Sequence, residues 1–377
     1  MSVAAEAVQA ALATVIDPEI RRPITEIDMV KSVAIDGGTV TVGIFLTISS
    51  CPMQDTIVNG VKDAVSKVRD VTAVEVELDV MSQEQREKLK EKLQGPAKEI
   101  RFNRPGSTTK IYAIASGKGG VGKSSITVNL AAAMAAQGLN VGVVDADIYG
   151  HSIPDMLGAT ELPTVVENMM MPPRGHGVAV MSILAHKKDR LDPVPVRGPM
   201  LHRYLESFLT DAFWGELDVL LLDLPPGTGD VAMSTASLLP QSELIIVTTP
   251  QPAAADVAIR SGTFALAPTV NQRIVGIIEN MSAFACPHCG EPIDMFGAGG
   301  GHMVAETLSK MSGTNIPLLG KVPFDPKLRE GGDNGQPLVL SDPDSPAAKM
   351  IYALAEQLGK KSRGLVGLNL AVEPVRH

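Results

Sequence analysis

Eight consecutive residues, Gly117-Lys118-Gly119-Gly120-Val121-Gly122-Lys123-Ser124, constrain this chain more than any other stretch. They fill every position of the pattern G-x-x-x-x-G-K-[ST] and carry a second lysine, Lys118, directly after the first glycine. Glycines let successive backbone N–H groups turn inward and form a nest for phosphate oxygens. In that pattern Lys123 reaches the β- and γ-phosphates and the Ser124 hydroxyl ligates Mg²⁺. The flanks agree. Residues 111–115 are a continuous apolar run, a buried strand entering the loop, and residues 125–137, from Ser125 onward, form an alanine-rich helix stopped by Gly138. Strand, glycine loop and helix N-terminus in that order are what anion binding requires.

From Lys110 onward, short apolar runs at 141–144, 219–222, 244–247 and 274–278 alternate with helical stretches. Strands that are apolar on both faces belong to a mostly parallel sheet covered by helices on both sides. Residues 110–360 are therefore expected to be an α/β P-loop NTPase domain. Residues 1–82 read as a small α+β domain preceding it. Residues 3–15 have helical periodicity, and β-rich runs at 33–35 and 39–47 flank Asp36-Gly37-Gly38, a hairpin signal. Pro52 suits the first turn of a helix running to about residue 69, and 74–80 alternates apolar and acidic residues like a closing strand with one buried face. Residues 83–109 read as a helical, Pro/Gly-broken linker whose helix opens on a Ser82…Gln85 capping box. Residues 361–377 lack periodicity and read as a tail.

The formal charge is −9 and only 3% of residues are aromatic. Neither a phosphate-backbone surface nor a base-stacking platform is expected, so nucleic acid is not an expected partner. The first residues, Met-Ser-Val-Ala-Ala-Glu-Ala-Val, lack the basic stretch and apolar core of a secretory signal, and no apolar run reaches bilayer length. The expectation is a cytoplasmic protein with no membrane partner.

Three aspartates extend the phosphate reading. Asp145 and Asp147, in Val143-Val-Asp-Ala-Asp-Ile-Tyr-Gly150, and Asp223, in Leu220-Leu-Leu-Asp-Leu-Pro-Pro-Gly-Thr-Gly229, each follow an apolar strand. Ligands bind at the C-terminal edge of such sheets. A carboxylate there holds the hydration shell of Mg²⁺, and Gly227 and Gly229 leave the following loop free to respond to a γ-phosphate. Phosphoryl transfer needs mainly positioning and charge neutralisation. Phosphate nest, lysines and carboxylates supply the protein's share of both.

The loop 117–124 resembles the deviant Walker A motif of the MinD, ParA and nitrogenase iron-protein superfamily. Leu224-Pro-Pro-Gly-Thr-Gly-Asp230, Glu279-Asn-Met-Ser282 and Cys286-Pro-His-Cys289 narrow the resemblance to the Mrp/ApbC branch, the iron–sulfur cluster carrier ATPases. Asp17-Pro-Glu19 and Ser50-Cys-Pro52 are similar to the iron–sulfur assembly domain often fused to bacterial members. The resemblance implies ATP and Mg²⁺ as ligands, with Gly117 to Ser125 forming the nucleotide cradle. It implies that Lys118 reaches across a homodimer to the partner's nucleotide and that Asp147 orients the attacking water beside Asp145. It further implies that Asp223 holds the Mg²⁺ shell with Ser124 and that Asn280 reads adenine.

Cys286 and Cys289 form a C-x-x-C turn before Gly290. Spacing alone leaves zinc, a thiol–disulfide pair and an iron–sulfur cluster open; the resemblance points to the cluster, of [4Fe–4S] type. One pair is half a four-ligand site, so either a twofold dimer completes it, one pair per chain, or His288 or His302 does so within the chain. Cys51, before Pro52, is a helix-start thiol, equally consistent with a transient ligand and a buried structural residue. Met169, Met170 and Met171 read as an apolar patch or buried loop. The expected whole is a homodimeric ATPase that takes a labile cluster from a donor and passes it to apo-acceptor proteins. A MinD/ParA-like positioning ATPase and an ATP-switched dimer with a structural zinc are the competing readings.

Overall fold

The strand that enters the phosphate loop, Lys110–Ser116, lies at the middle of an eight-stranded sheet. The strand order is Leu318–Lys321, Ile274–Glu279, Glu243–Thr248, Lys110–Ser116, Val219–Asp223, Val141–Asp145, Val178–Ser182 and Arg174–Gly175. All neighbours pair in parallel except the last two, which form a hairpin. These relations come from a computed structural model that describes residues 3–47, 53–94, 99–147, 150, 152–167, 169–182, 198–286 and 288–360. Cys51, Pro52, Gly95-Pro96 and the 361–377 tail lie outside the described residues.

Both faces of the sheet are covered, which explains the unbroken apolar runs. Along the central strand, Ile111, Ala113 and Ala115 enter one core, with the helices Gly198–Thr210, Asp230–Leu238, Pro252–Leu266 and Gly300–Ser312. Tyr112 and Ile114 enter the other, with Lys123–Ala136 and Pro346–Gly359. Lys123–Ala136 is buried on nearly every side, so it carries no polar face and ends where Gly138 takes φ 87°. Ile114 is fully buried; truncating it to alanine is expected to cost roughly 2–5 kcal/mol. The sequence-expected strands all form within a residue of their expected limits, except that the run expected at 33–35 begins three residues earlier, as Val30–Asp36. Val178–Ser182, Leu318–Lys321 and the short pair Thr164–Val166 and Met169–Met171 were not anticipated.

The N-terminal residues form a three-stranded sheet over a helical layer. Val30–Asp36 and Thr39–Leu46 make the expected hairpin, and Ala73–Val80 pairs in parallel with the second strand. This closing strand is less buried than its alternation suggested: Val74 and Val76 are half-buried and Leu78 and Val80 are exposed, because it is an edge strand. The capping box is formed in both directions, Gln85 N–H donating to Ser82 Oγ at 3.3 Å and Ser82 N–H to Gln85 Oε1 at 2.8 Å. The helix it opens, Gln83–Gln94, packs Leu89 into the N-terminal core and so acts as more than a connector.

The methionine run is a strand that rivets the two units together. Alternation sends Met169 and Met171, with Val166, into the N-terminal core and Met170 into the core of the main sheet. Arg86 Nε to Glu167 Oε1 at 2.8 Å reinforces the junction with a partly buried ion pair.

Candidate functional site

Parallel pairing sets the carboxylates level with one another. Asp223 lies opposite Ile114 on one side and Asp145 on the other, at the C-terminal edge where the phosphate loop begins. The loop itself depends on glycine. Gly120 and Gly122 have φ of 80° and 79°. A Cβ on Gly117 would strike the Val257 backbone, and one on Gly122 the Asn280 amide.

Lys123 and Asp223 form a buried ion pair at 2.6 Å, with side-chain exposures of 6% and 1%. Ser124 Oγ donates to the same Asp223 oxygen at 2.7 Å, and Thr127 Oγ1 donates to the other at 2.6 Å. Asp223 thus gathers a lysine, a serine and a threonine from a single helical turn around one carboxylate. Asp147 stands 4.0 Å from Lys123 Nζ, fixed by Gly150 N–H donating to its Oδ1 at 3.0 Å. Asp145 is fully enclosed; burial, and then the Asp223 charge, push its carboxyl well above the usual carboxylate range. Ser182 donates to it at 3.2 Å.

Lys118 lies apart from this cluster. Its Nζ donates to Gln251 Oε1 at 3.2 Å and is bonded to no phosphate-side carboxylate. Asn280 sits beneath the loop, its Nδ2 donating to Val121 O at 2.9 Å. Its Oδ1 is buried without a partner among the described residues, an acceptor suited to an amino group such as that of adenine. A cavity of about 360 Å³ opens over Lys118 to Ser125, walled by Asp147, Pro226 and Arg329.

The cysteines lie on a separate projection. Phe284–Ala285 and Pro292–Ile293 form a small antiparallel pair, and Cys286 N–H donates to Glu291 O at 2.9 Å to close it. Gly290, at φ 77°, turns the chain back and donates to Cys286 O at 2.8 Å. The Cys286 sulfur accepts N–H groups from His288 and Cys289 and contacts the Cys289 thiol; these bonds lower its pKa and favour thiolate. Cys289 is exposed. Phe284 and Phe296 pack edge-on against Phe324, which fixes the hairpin's base. Among the described residues no third histidine, cysteine or acid joins the pair in one chain, so neither His288 nor His302 completes the site here.

Residues 107–359 match the family model described as NUBPL iron-transfer P-loop NTPase, and residues 5–78 match that of iron–sulfur cluster assembly protein. The chain belongs to the iron-transfer P-loop NTPases. An iron–sulfur cluster carrier protein of Mycobacterium bovis is 54% identical over 373 residues, covering 98% of this chain and 97% of that one. A protein of the same name from Synechocystis is 39% identical, covering 94% and 97%. A nucleotide-binding protein of Archaeoglobus fulgidus, solved with ADP, is 33% identical over 63% of this chain and 90% of its own, with a TM-score of 0.49.

In this iron-transfer NTPase several residues of the site were not singled out from the sequence. Thr127 follows Lys123 by one helical turn, which a reader of i, i+4 spacing could have used. Gln251 precedes the helix Pro252–Leu266, and Arg329 belongs to Pro326–Asp333; only the fold brings them to the loop. Among the described residues no helix is long and apolar enough to cross a membrane.

Proposed function

We propose that this protein is an ATP-hydrolysing iron–sulfur cluster carrier that holds a labile cluster between two copies of itself and passes it to apo-acceptors. The observation that supports this most directly is the half-site: two thiols on an outward hairpin, one of them favoured as thiolate, on a phosphate-loop domain. A [4Fe–4S] cluster takes four thiolates, so two hairpins meeting on a twofold axis would complete its ligand set.

The nucleotide half works by exchange of partners. Lys123 and Ser124 are both held by Asp223 at 2.6 and 2.7 Å. With Mg-ATP bound, Lys123 would hold the β- and γ-phosphates, Ser124 the Mg²⁺, and Asp223, freed from the lysine, the metal's water shell. Asp147 then faces the γ-phosphate with a carboxylate to orient water. Lys118, held by the neutral Gln251 side chain, leaves that partner at small cost to reach the nucleotide of the second copy. Asn280 Oδ1 would accept the adenine amino group. Nucleotide binding, closure of the dimer and approach of the two thiol pairs then become one event. Hydrolysis acts as a timer, and loading from a donor and delivery to an acceptor fall in different nucleotide states.

The test is anaerobic reconstitution with iron and sulfide of the wild type and of Cys286→Ala/Cys289→Ala, followed by transfer to an apo-acceptor with and without Mg-ATP. The expected result is a broad visible charge-transfer band with about four irons per dimer, absent from the variant and lost to the acceptor at a nucleotide-dependent rate. Tight zinc with no transferable cluster would overturn the reading.

A further inference from the structure

A cavity of about 450 Å³, well within the range of small-molecule sites, lies where the N-terminal unit meets the main sheet. It opens far from the phosphate loop. Asn140, on its wall, precedes the strand whose other end carries Asp145, and Leu217 stands just before the strand that ends at Asp223.

Five arginines line it: Arg21, Arg22, Arg101, Arg104 and Arg174. Two are neutralised on the spot, Arg101 by Glu216 at 3.1 Å and Arg104 by Glu99 at 3.2 Å. Among the described residues, no carboxylate lies within ion-pair distance of Arg21, Arg22 or Arg174. Arg21 donates to Asn140 Oδ1 at 3.0 Å and Arg174 to Gly177 O at 3.3 Å, both uncharged acceptors. Arg21 also holds φ 58°, a conformation non-glycine residues rarely adopt, and this fixes how the arginine corner meets the sheet. Burial first, and then the Arg21 charge, push Arg174 down to about 10. Arg174 is half-buried, and the exposed Arg21 and Arg22 stand at the cavity with it; guanidiniums lacking a carboxylate partner are relieved by an anion, and their planar forks match phosphate and carboxylate oxygens two at a time.

We propose that this junction cavity binds a small polyanion, a phosphate or polycarboxylate compound, held by Arg21, Arg22 and Arg174. Arg21 and Arg22 come from the N-terminal unit and Arg174 from the edge of the main sheet, so the occupant bridges the two. This surface is independent of both the nucleotide and the thiols, and its test does not depend on cluster transfer.

Trp214, the chain's single tryptophan, lines the cavity and reports on it directly. Full-length protein is saturated with Mg-ADP to fill the phosphate loop, then titrated with tripolyphosphate and, separately, with citrate, following Trp214 fluorescence and heat. The expected result is saturable one-to-one binding of at least one probe, weakened about tenfold or more by Arg174→Ala and by Arg21→Ala and partly kept in Arg174→Lys. Binding of tripolyphosphate alone assigns a phosphate ligand, of citrate alone a carboxylate ligand, and of both a site that reads charge. Arg22→Ala, at an exposed side chain, supplies the same comparison if a variant at Arg174 does not fold. Binding of neither probe, or equal affinity in wild type and all arginine variants, overturns the proposal.

Discussion

The nucleotide site and the cysteine hairpin are built in opposite ways. Around Asp223 every donor is already engaged: the buried Lys123 and Thr127 and the half-buried Ser124 converge on two carboxylate oxygens within 2.7 Å. The cysteines stand on a pair of two-residue strands, with Cys289 exposed and only backbone N–H groups and each other as partners. A charge-handling site must be rigid before its ligand arrives, because water must be excluded and dipoles fixed in advance. On the proposed function the cysteine site hands a cargo over and must stay reachable, so little of the fold's stability is expected to be invested there. The contrast predicts that damage to the first region is felt by the whole molecule, and damage to the second by its cargo alone.

The largest effect is expected from Asp223→Ala. It strands the buried Lys123 charge and should lower unfolding free energy by about 3–5 kcal/mol, read from denaturant midpoints. A loss under about 1 kcal/mol would mean that the pair is solvated and the contrast false. Thr127→Val removes one bond to the same carboxylate while preserving shape; a cost of about 1.5–3 kcal/mol is expected for a hydrogen bond to a charged group. Cys286→Ala/Cys289→Ala should move stability by less than about 0.5 kcal/mol, as for surface substitutions, while abolishing cluster binding. A large drop in melting temperature for that variant would place the hairpin inside the cooperative core.

A pH series sharpens the contrast further. The Asp145 carboxyl is raised above its ordinary 3.8 by burial and by Asp223. Its contribution to stability is therefore fully present below pH 3.8 and is lost as pH rises through the folded value. In metal- and nucleotide-free protein, Asp145→Asn should flatten this part of the stability profile, whereas the cysteine variant should leave it unchanged. Identical profiles for wild type and Asp145→Asn would show that the carboxyl is not held as described.

Much of this was legible because it is local. A phosphate nest is eight contiguous residues whose glycines have steric reasons to be there, and its strand and helix follow from periodicity next to it. The aspartates were legible because a strand's end is readable and parallel sheets bind ligands at that edge. The run at 169–171, read as an apolar patch or buried loop, is buried but forms a strand, which three identical apolar residues carry no period to reveal. Only their place between two cores shows that alternate side chains serve different units. The burial of the helix Gln83–Gln94 was missed for a related reason: its charged face dominates the sequence, while Leu89, with Leu93 half-buried beside it, packs it onto the core.

The sequence by itself determined the α/β sheet, the phosphate loop and the kinds of side chain that could serve it, because hydrophobic periodicity and glycine sterics act over a few residues. Tertiary structure alone decided that Asp223 would gather Lys123, Ser124 and Thr127 from across 96 to 100 positions of chain. It alone parked Lys118 on Gln251 and Asn280 under Val121, and crowded Arg21 against Arg174 in a junction cavity. Charge pairing and the lack of it depend on distances of a few ångströms through space, and separation along the chain carries no record of those.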